Sequence, residues 1–84
     1  MARMDMNTIK RLEKERNTIH TKVVTTYTAF MADGEKYVQI DTYGRAGRDM
    51  PEKISQSLQF DKESAIFLVK LLMSEYDMRF RDLQ

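Results

Sequence analysis

The chain has no cysteine and no tryptophan, and only one histidine, one proline and three glycines among 84 residues. Without cysteine there is no disulfide, no thiolate nucleophile and no thiolate metal ligand, and a reducing compartment is the expected home. The single histidine, His20, lies in a threonine-rich stretch with no base or carboxylate partner in view. No Ser/His/Asp or Cys/His set can be assembled, and zinc would have too few ligands. The acidic residues Asp33, Glu35, Asp41, Asp49 and Glu52 lack the spacing of a calcium loop. No catalytic residue, metal or cofactor is expected, and the chain reads as a binding module, not an enzyme. No apolar run approaches the roughly 18 residues that span a bilayer. The N-terminus also lacks the apolar core of a secretion signal. A soluble, intracellular protein without membrane contact is expected.

An excess of either charge is lacking too: 14 Lys+Arg face 13 Asp+Glu, a net +1. No global basic field advertises nucleic acid, so any anion-binding role depends on where the charges point. The first 17 residues carry five basic side chains against three acidic ones, and the rest of the chain is nearly balanced. Apolar residues make up 42% of the chain, enough for one small core, and at this size self-association is a common way to bury the remainder.

What is present divides into four stretches. Residues 4–17, MDMNTIKRLEKERN, are good helix formers with Lys10–Glu13 and Arg11–Glu15 at pairing distance. They predict a short N-terminal helix or a loosely held arm, with Met6, Ile9 and Leu12 as a narrow stripe. From Thr18, TIHTKVVTTYTAFM is β-branched and aromatic and predicts a strand, bent or split in two. Asp33-Gly34 is the favoured pair for a two-residue hairpin turn, and KYVQIDTY is the returning strand. A loop, GRAGRDMP, precedes a third strand, EKISQSLQF. Asp61 is a candidate helix N-cap with Glu63 in the first turn, and KESAIFLVKLLMSEYDMRF a long C-terminal helix. The fold class is α+β: a helical arm over 1–17, then a β-meander of three to four strands and a long helix over 18–84.

The turn dictates the register. Phe30 falls opposite Tyr37, Thr28 opposite Gln39, Thr26 opposite Asp41 and Val24 opposite Tyr43, while Ala29 meets Val38 and Tyr27 meets Ile40. Tyr27, Ala29, Val38, Ile40, Ile54, Leu58 and Phe60 make an apolar face, with Gln56 the polar exception. The other face carries Lys22, Thr26, Thr28, Phe30, Tyr37, Gln39, Asp41, Tyr43, Lys53, Ser55, Ser57 and Gln59. Arg45 and Arg48 lie in the loop beyond. An antiparallel sheet ordinarily has a solvated face, and Phe30–Tyr37 is then only a cross-strand pair. The functional reading is a stacking platform, where aromatics hold bases at about 1–3 kcal/mol each and basic and hydroxyl groups hold phosphates.

GRAG is a G-x-x-G with a basic residue inside. It joins strands and not helices, so the nucleic-acid clamp of that pattern does not apply, and its glycines are assigned to turning the chain. Along the C-terminal helix, Ala65, Leu68, Val69, Leu72, Met73, Tyr76 and Phe80 form one stripe. Ile66, Phe67, Leu71 and Met78 lie off it and are candidate dimerisation residues, since a helix lying on a sheet would expose them.

VQIDTYGR followed by ISQSLQFDKESAIFLVKLL resembles the C-terminal domain of the transcriptional coactivator positive cofactor four family. The resemblance covers roughly residues 22–74. It implies a curved antiparallel sheet, dimerisation through the helices, and single-stranded DNA bound across the sheets with little sequence preference. It also implies a role in transcription, replication or recombination, in the cytoplasm, the nucleoid or a host cell, or in the nucleus of a eukaryote. The chain departs from the family in lacking the tryptophan at the helix start and a long serine- and lysine-rich leader. Lys22, Phe30, Tyr37, Tyr43, Arg45, Arg48 and Lys53 are the candidate DNA contacts. The alternative is a protein–protein adaptor of a replication or transcription complex, whose sheet is merely solvated.

Overall fold

A computed structural model of the chain describes residues 1–44 and 53–84. The elements are β1 (Ala2–Arg3), β2 (Thr25–Ala32), β3 (Glu35–Tyr43), β4 (Ile54–Phe60) and α1 (Lys62–Glu75), followed by a 3₁₀ turn, Phe80–Leu83. The architecture is α+β, with one mixed four-stranded sheet in the order β1-β4-β3-β2 and a C-terminal helix.

The β2–β3 hairpin closes at Asp33 (φ 51°) and Gly34 (φ 78°), the two positive angles that a tight hairpin turn requires. Its register pairs Phe30 with Tyr37, Thr28 with Gln39, Thr26 with Asp41, Ala29 with Val38 and Tyr27 with Ile40, as the sequence predicts. On the other side of β3, Val38 pairs with Phe60, Ile40 with Leu58, Gln39 with Gln59 and Asp41 with Ser57.

Four features depart from expectation. Residues 4–17 form no helix: a turn at Met6–Thr8 is the only ordered geometry there. Asp5 closes it, accepting from the Asn7 backbone N–H at 2.9 Å and from Thr8 Oγ1 at 3.1 Å. Such local side-chain bonds compete with helix, and a stripe as thin as Met6, Ile9 and Leu12 offers no packing to outweigh them. Arg11 accordingly pairs with Glu13 and, across the fold, with Glu75, and not with Glu15. Upstream of this segment, Ala2 and Arg3 pair in parallel with Leu58 and Gln59 of β4, so the sheet is not purely antiparallel.

The second departure is that β2 begins at Thr25. His20 and Lys22 precede it as exposed residues outside any strand, and Ile19 is fully exposed. Third, a bulge between Thr42 and Tyr43 places Ile54 opposite Tyr43, where an unbroken register would place Ser55. Ile54 therefore leaves the apolar face.

Fourth, that face is open. Val38, Ile40 and Leu58 are each more than one-third exposed and Tyr27 is almost uncovered; Phe60 alone among the apolar residues of that face is buried. Helix α1 approaches the sheet at β4. Ala65, Leu68 and Met73 of its expected stripe are half-buried, while Val69, Leu72, Tyr76 and Phe80 are exposed.

Helix α1 is well capped at both ends. Asp61 Oδ1 accepts the Ser64 backbone N–H at 2.9 Å, and Ser64 Oγ accepts the Asp61 N–H at 3.0 Å, a reciprocal capping box around a fully buried serine. The helix ends at Glu75, five residues short of Phe80. Asp77 turns left-handed (φ 52°), and the Met78 and Asp77 amides bond back to Met73 (2.9 Å) and Ser74 (3.3 Å). Among the described residues no helix is long and apolar enough to cross a membrane.

The cap carries a pH signature. Hydrogen bonds from Ser64, first from its backbone and then from its side chain, with the Arg3 charge nearby, hold the Asp61 carboxyl below its ordinary pKa. Its stabilisation is complete above the ordinary carboxylate pKa and is lost as pH falls through the lowered one. Asp61→Ala should lower the thermal midpoint by several degrees at neutral pH. Asp61→Asn, which keeps an N-cap acceptor, should stay close to the parent at neutral pH but lose part of the acid-side decline, as thermal scans between pH 2 and 7 would show.

Candidate nucleic-acid interface

The site is built on β3, the central strand between β2 and β4, whose alternate residues Glu35, Tyr37, Gln39, Asp41 and Tyr43 share one face. The polar side chains along this row are bonded to one another or to neighbouring strands. Tyr37 Oη donates to Glu35 Oε2 at 3.0 Å. Gln39 Nε2 donates to Asp41 Oδ1 at 2.9 Å, Ser57 Oγ donates to the same oxygen, and Gln59 Nε2 donates to Gln39 Oε1 at 2.7 Å. Tyr43 Oη shares a hydrogen bond of 3.0 Å with Thr26 Oγ1. Among the described residues no buried side-chain nitrogen or oxygen lacks a partner.

Tyr37 and Asp41 are buried, at 8% and 5% exposure, while of the apolar residues of the opposite face only Phe60 is. The polar face is thus the better packed of the two. Burying a carboxylate is costly unless it is hydrogen-bonded, and Asp41 meets that condition with two donors. Tyr37 is bracketed. Phe30 of β2 stacks on its ring with centroids 5.6 Å apart and planes inclined at 25°. From the β4 side, the Arg3 guanidinium lies 5.3 Å from the ring centroid. Arg3 also reaches Asp61 Oδ2 at 3.7 Å. The hydrogen bond to Glu35 raises the pKa of the Tyr37 phenol, with burial and the Glu35 charge adding to it.

Of the sequence-predicted DNA contacts, Phe30 and Tyr37 are brought into direct contact, and Tyr43 sits on the same face about 20 Å along the strand. Lys53 is exposed at the start of β4; Lys22 is exposed but off the sheet. Arg45 and Arg48 lie outside the described residues. Of the dimerisation candidates, Ile66 and Leu71 are exposed, and Phe67 and Met78 half-buried. Sequence reasoning placed Gln39, Asp41, Ser57 and Gln59 on this face without giving them a role. The signal for one was a period-two polar series on both partners of a strand pair. It gave Arg3 no role, since nothing in the sequence points to a strand at residues 2–3.

Asp41→Ala should destabilise the chain by about 1–3 kcal/mol, because Gln39 and Ser57 lose their shared acceptor. Asp41→Asn, with its carbonyl in the place of Oδ1, should cost much less; urea unfolding at one fixed protein concentration separates the two. In comparisons with known proteins, no family model matches this chain, and no curated protein or solved structure is significantly similar to it.

Proposed function

We propose that the chain is a homodimeric single-stranded DNA-binding protein with little sequence preference, serving replication, recombination or transcription. One face of the sheet meets DNA, and the other, together with α1, meets a second copy. The observation that carries this reading is the division of the sheet. Its polar, aromatic face is packed and internally hydrogen-bonded, while its apolar face stands open.

Exposed area supports the dimer. A compact monomer of 9.9 kDa exposes about 5,200 Å², whereas this chain exposes 8088 Å². Its radius of gyration is 15.2 Å, against about 12 Å for a compact domain of this length. The surplus belongs partly to the extended segment before β2 and partly to Val38, Ile40 and Leu58 on the sheet and Ile66, Val69 and Leu71 on the helix. Sedimentation should give a mass near twice 9.9 kDa at micromolar concentration, and Leu71→Glu should shift it to the monomer.

For DNA, Phe30 and Tyr43 offer ring surface, Tyr37 a further ring beneath Arg3, and Lys22 and Lys53 exposed positive charge; the sequence adds Arg45 and Arg48, which lie outside the described residues. The resemblance to the positive cofactor four family supports the same assignment. Anisotropy of a labelled oligo-dT should report binding at micromolar protein in low salt, weakening as salt rises. Phe30→Ala should weaken it by roughly tenfold, one stacked base's worth. An adaptor role is favoured by one observation, the exposure of Tyr76, Phe80 and Leu83 beyond the helix. Oligo-dT binding indifferent to Phe30→Ala would turn the assignment that way.

A further inference from the structure

Strand β1 is two residues long, exposed, parallel to its neighbour and at the sheet edge. One further backbone bond, from the Met4 N–H to the Gln59 carbonyl at 3.0 Å, extends it. Its anchors are all of weak kinds: a short parallel ladder, a cation–π contact and a half-exposed ion pair at 3.7 Å. Residues 9–24, which follow, contain no helix or strand and only one residue that is not exposed, and their tie to the fold through Arg11 and Glu75 at 3.2 Å is itself an exposed ion pair. Yet this weakly held segment covers the centre of the proposed DNA face. Arg3 lies over the Tyr37 ring, on which Phe30 also stacks, so the ring already has two partners. Between residues 1–3 and the sheet is a hollow of about 350 Å³, lined by Gln39, Ile54, Ser57 and Gln59. It is roomy enough for a planar heterocycle and walled by amides and a hydroxyl.

We propose that residues 1–4 are a displaceable cover over a base-binding site formed by Tyr37, Gln39, Ser57 and Gln59, and that nucleic acid and the N-terminal segment compete for it. The proposal rests on the single-stranded DNA reading above. A base enters by replacing the Arg3 guanidinium on the Tyr37 ring, exchanging one stacking partner for another. The freed arginine and the unpaired β4 edge turn to solvent, where both are readily hydrated. Apparent affinity is therefore the intrinsic affinity reduced by the fraction of molecules that are covered.

The test is oligo-dT anisotropy over a range of salt, with the full chain, Arg3→Ala, and Met4→Pro, which removes the N–H that docks on Gln59. Both variants should bind about two- to fivefold more tightly, the loss of one exposed cation–π contact. The slope of log affinity against log salt should be unchanged. Weaker binding by Arg3→Ala, with the slope reduced by about 0.7, would make Arg3 a phosphate contact and overturn the cover. Binding that is the same in all three proteins would overturn it too, while leaving the DNA reading intact. No binding by any of them, the uncovered variants included, would remove both.

Discussion

The parity set at Asp33-Gly34 governs the rest of this molecule. Two residues with positive φ close the hairpin, and the two-residue length decides which side chains of β2 and β3 share a face. A Cβ at Gly34 would meet nothing within 4 Å, so the glycine is demanded by backbone conformation and not by space. A slip of one residue would carry Tyr37, Gln39 and Asp41 to the apolar side. Asp41 would then stand among Val38's former neighbours and lose Ser57, keeping only Gln39, which moves with it on β3. The hydrogen-bonded row and the turn therefore support one another: the turn selects the register, and the loss of the cross-strand bonds from Ser57 and Gln59 penalises the others.

That row changes what the two faces of the sheet mean. In a half-buried sheet the polar side is ordinarily the wet side, free to change. Here the polar side chains are joined in pairs across three strands, with two of the most buried residues in the chain among them. The apolar side has the opposite character: residues of core type, in ordinary alternation, without a layer over them. Helix α1 leaves the sheet from Phe60 and packs near β4, so the chain's own helix does not supply that layer. An open apolar surface on a chain this short is costly for a monomer, and the proposed second copy would cover it.

Much of this was legible in the sequence, and the boundary of legibility is physical. The turn, the β2–β3 register, the Asp61 cap and the long helix are local: each depends on a few adjacent residues with strong conformational preferences. The failures are where local signals are weak or tertiary context decides. Residues 4–17 have helical propensity, but nothing apolar for a helix to lean on, and Asp5 captures the first turn. Asp77, not a glycine, ends α1, so the stop after Glu75 carries no conventional mark. The bulge that turns Ile54 depends on the approach of β4 to β3, which period-two counting cannot see. Strand β1 was out of reach, because two residues have no period at all. For the site, the aromatic pair was readable from register alone, whereas the burial of Tyr37 depends on Arg3 arriving from 34 positions away.

The placement of charge on the polar face also constrains how a nucleic-acid strand would lie on it. Asp41 sits at the centre of the row, and a carboxylate there repels phosphate. Its Oδ1 already accepts from Gln39 and Ser57, so its charge is drawn into the sheet and partly neutralised by donors. Arg3 reaches inward from the β1 edge over Tyr37, while the other positive side chains lie towards the margins: Lys53 just before β4, and Lys22 in the approach to β2. A strand laid with its backbone across the centre would set phosphates over Asp41 and gain nothing from the margins. A strand with its bases turned inward and its phosphates along the rim would put rings against Phe30, Tyr37 and Tyr43. The same arrangement brings base edges to the amides of Gln39 and Gln59 and the negative charges to the lysines and arginines. On the proposed reading, repulsion from one buried aspartate would thus favour the orientation in which aromatic stacking, the interaction this face is best furnished to make, becomes available.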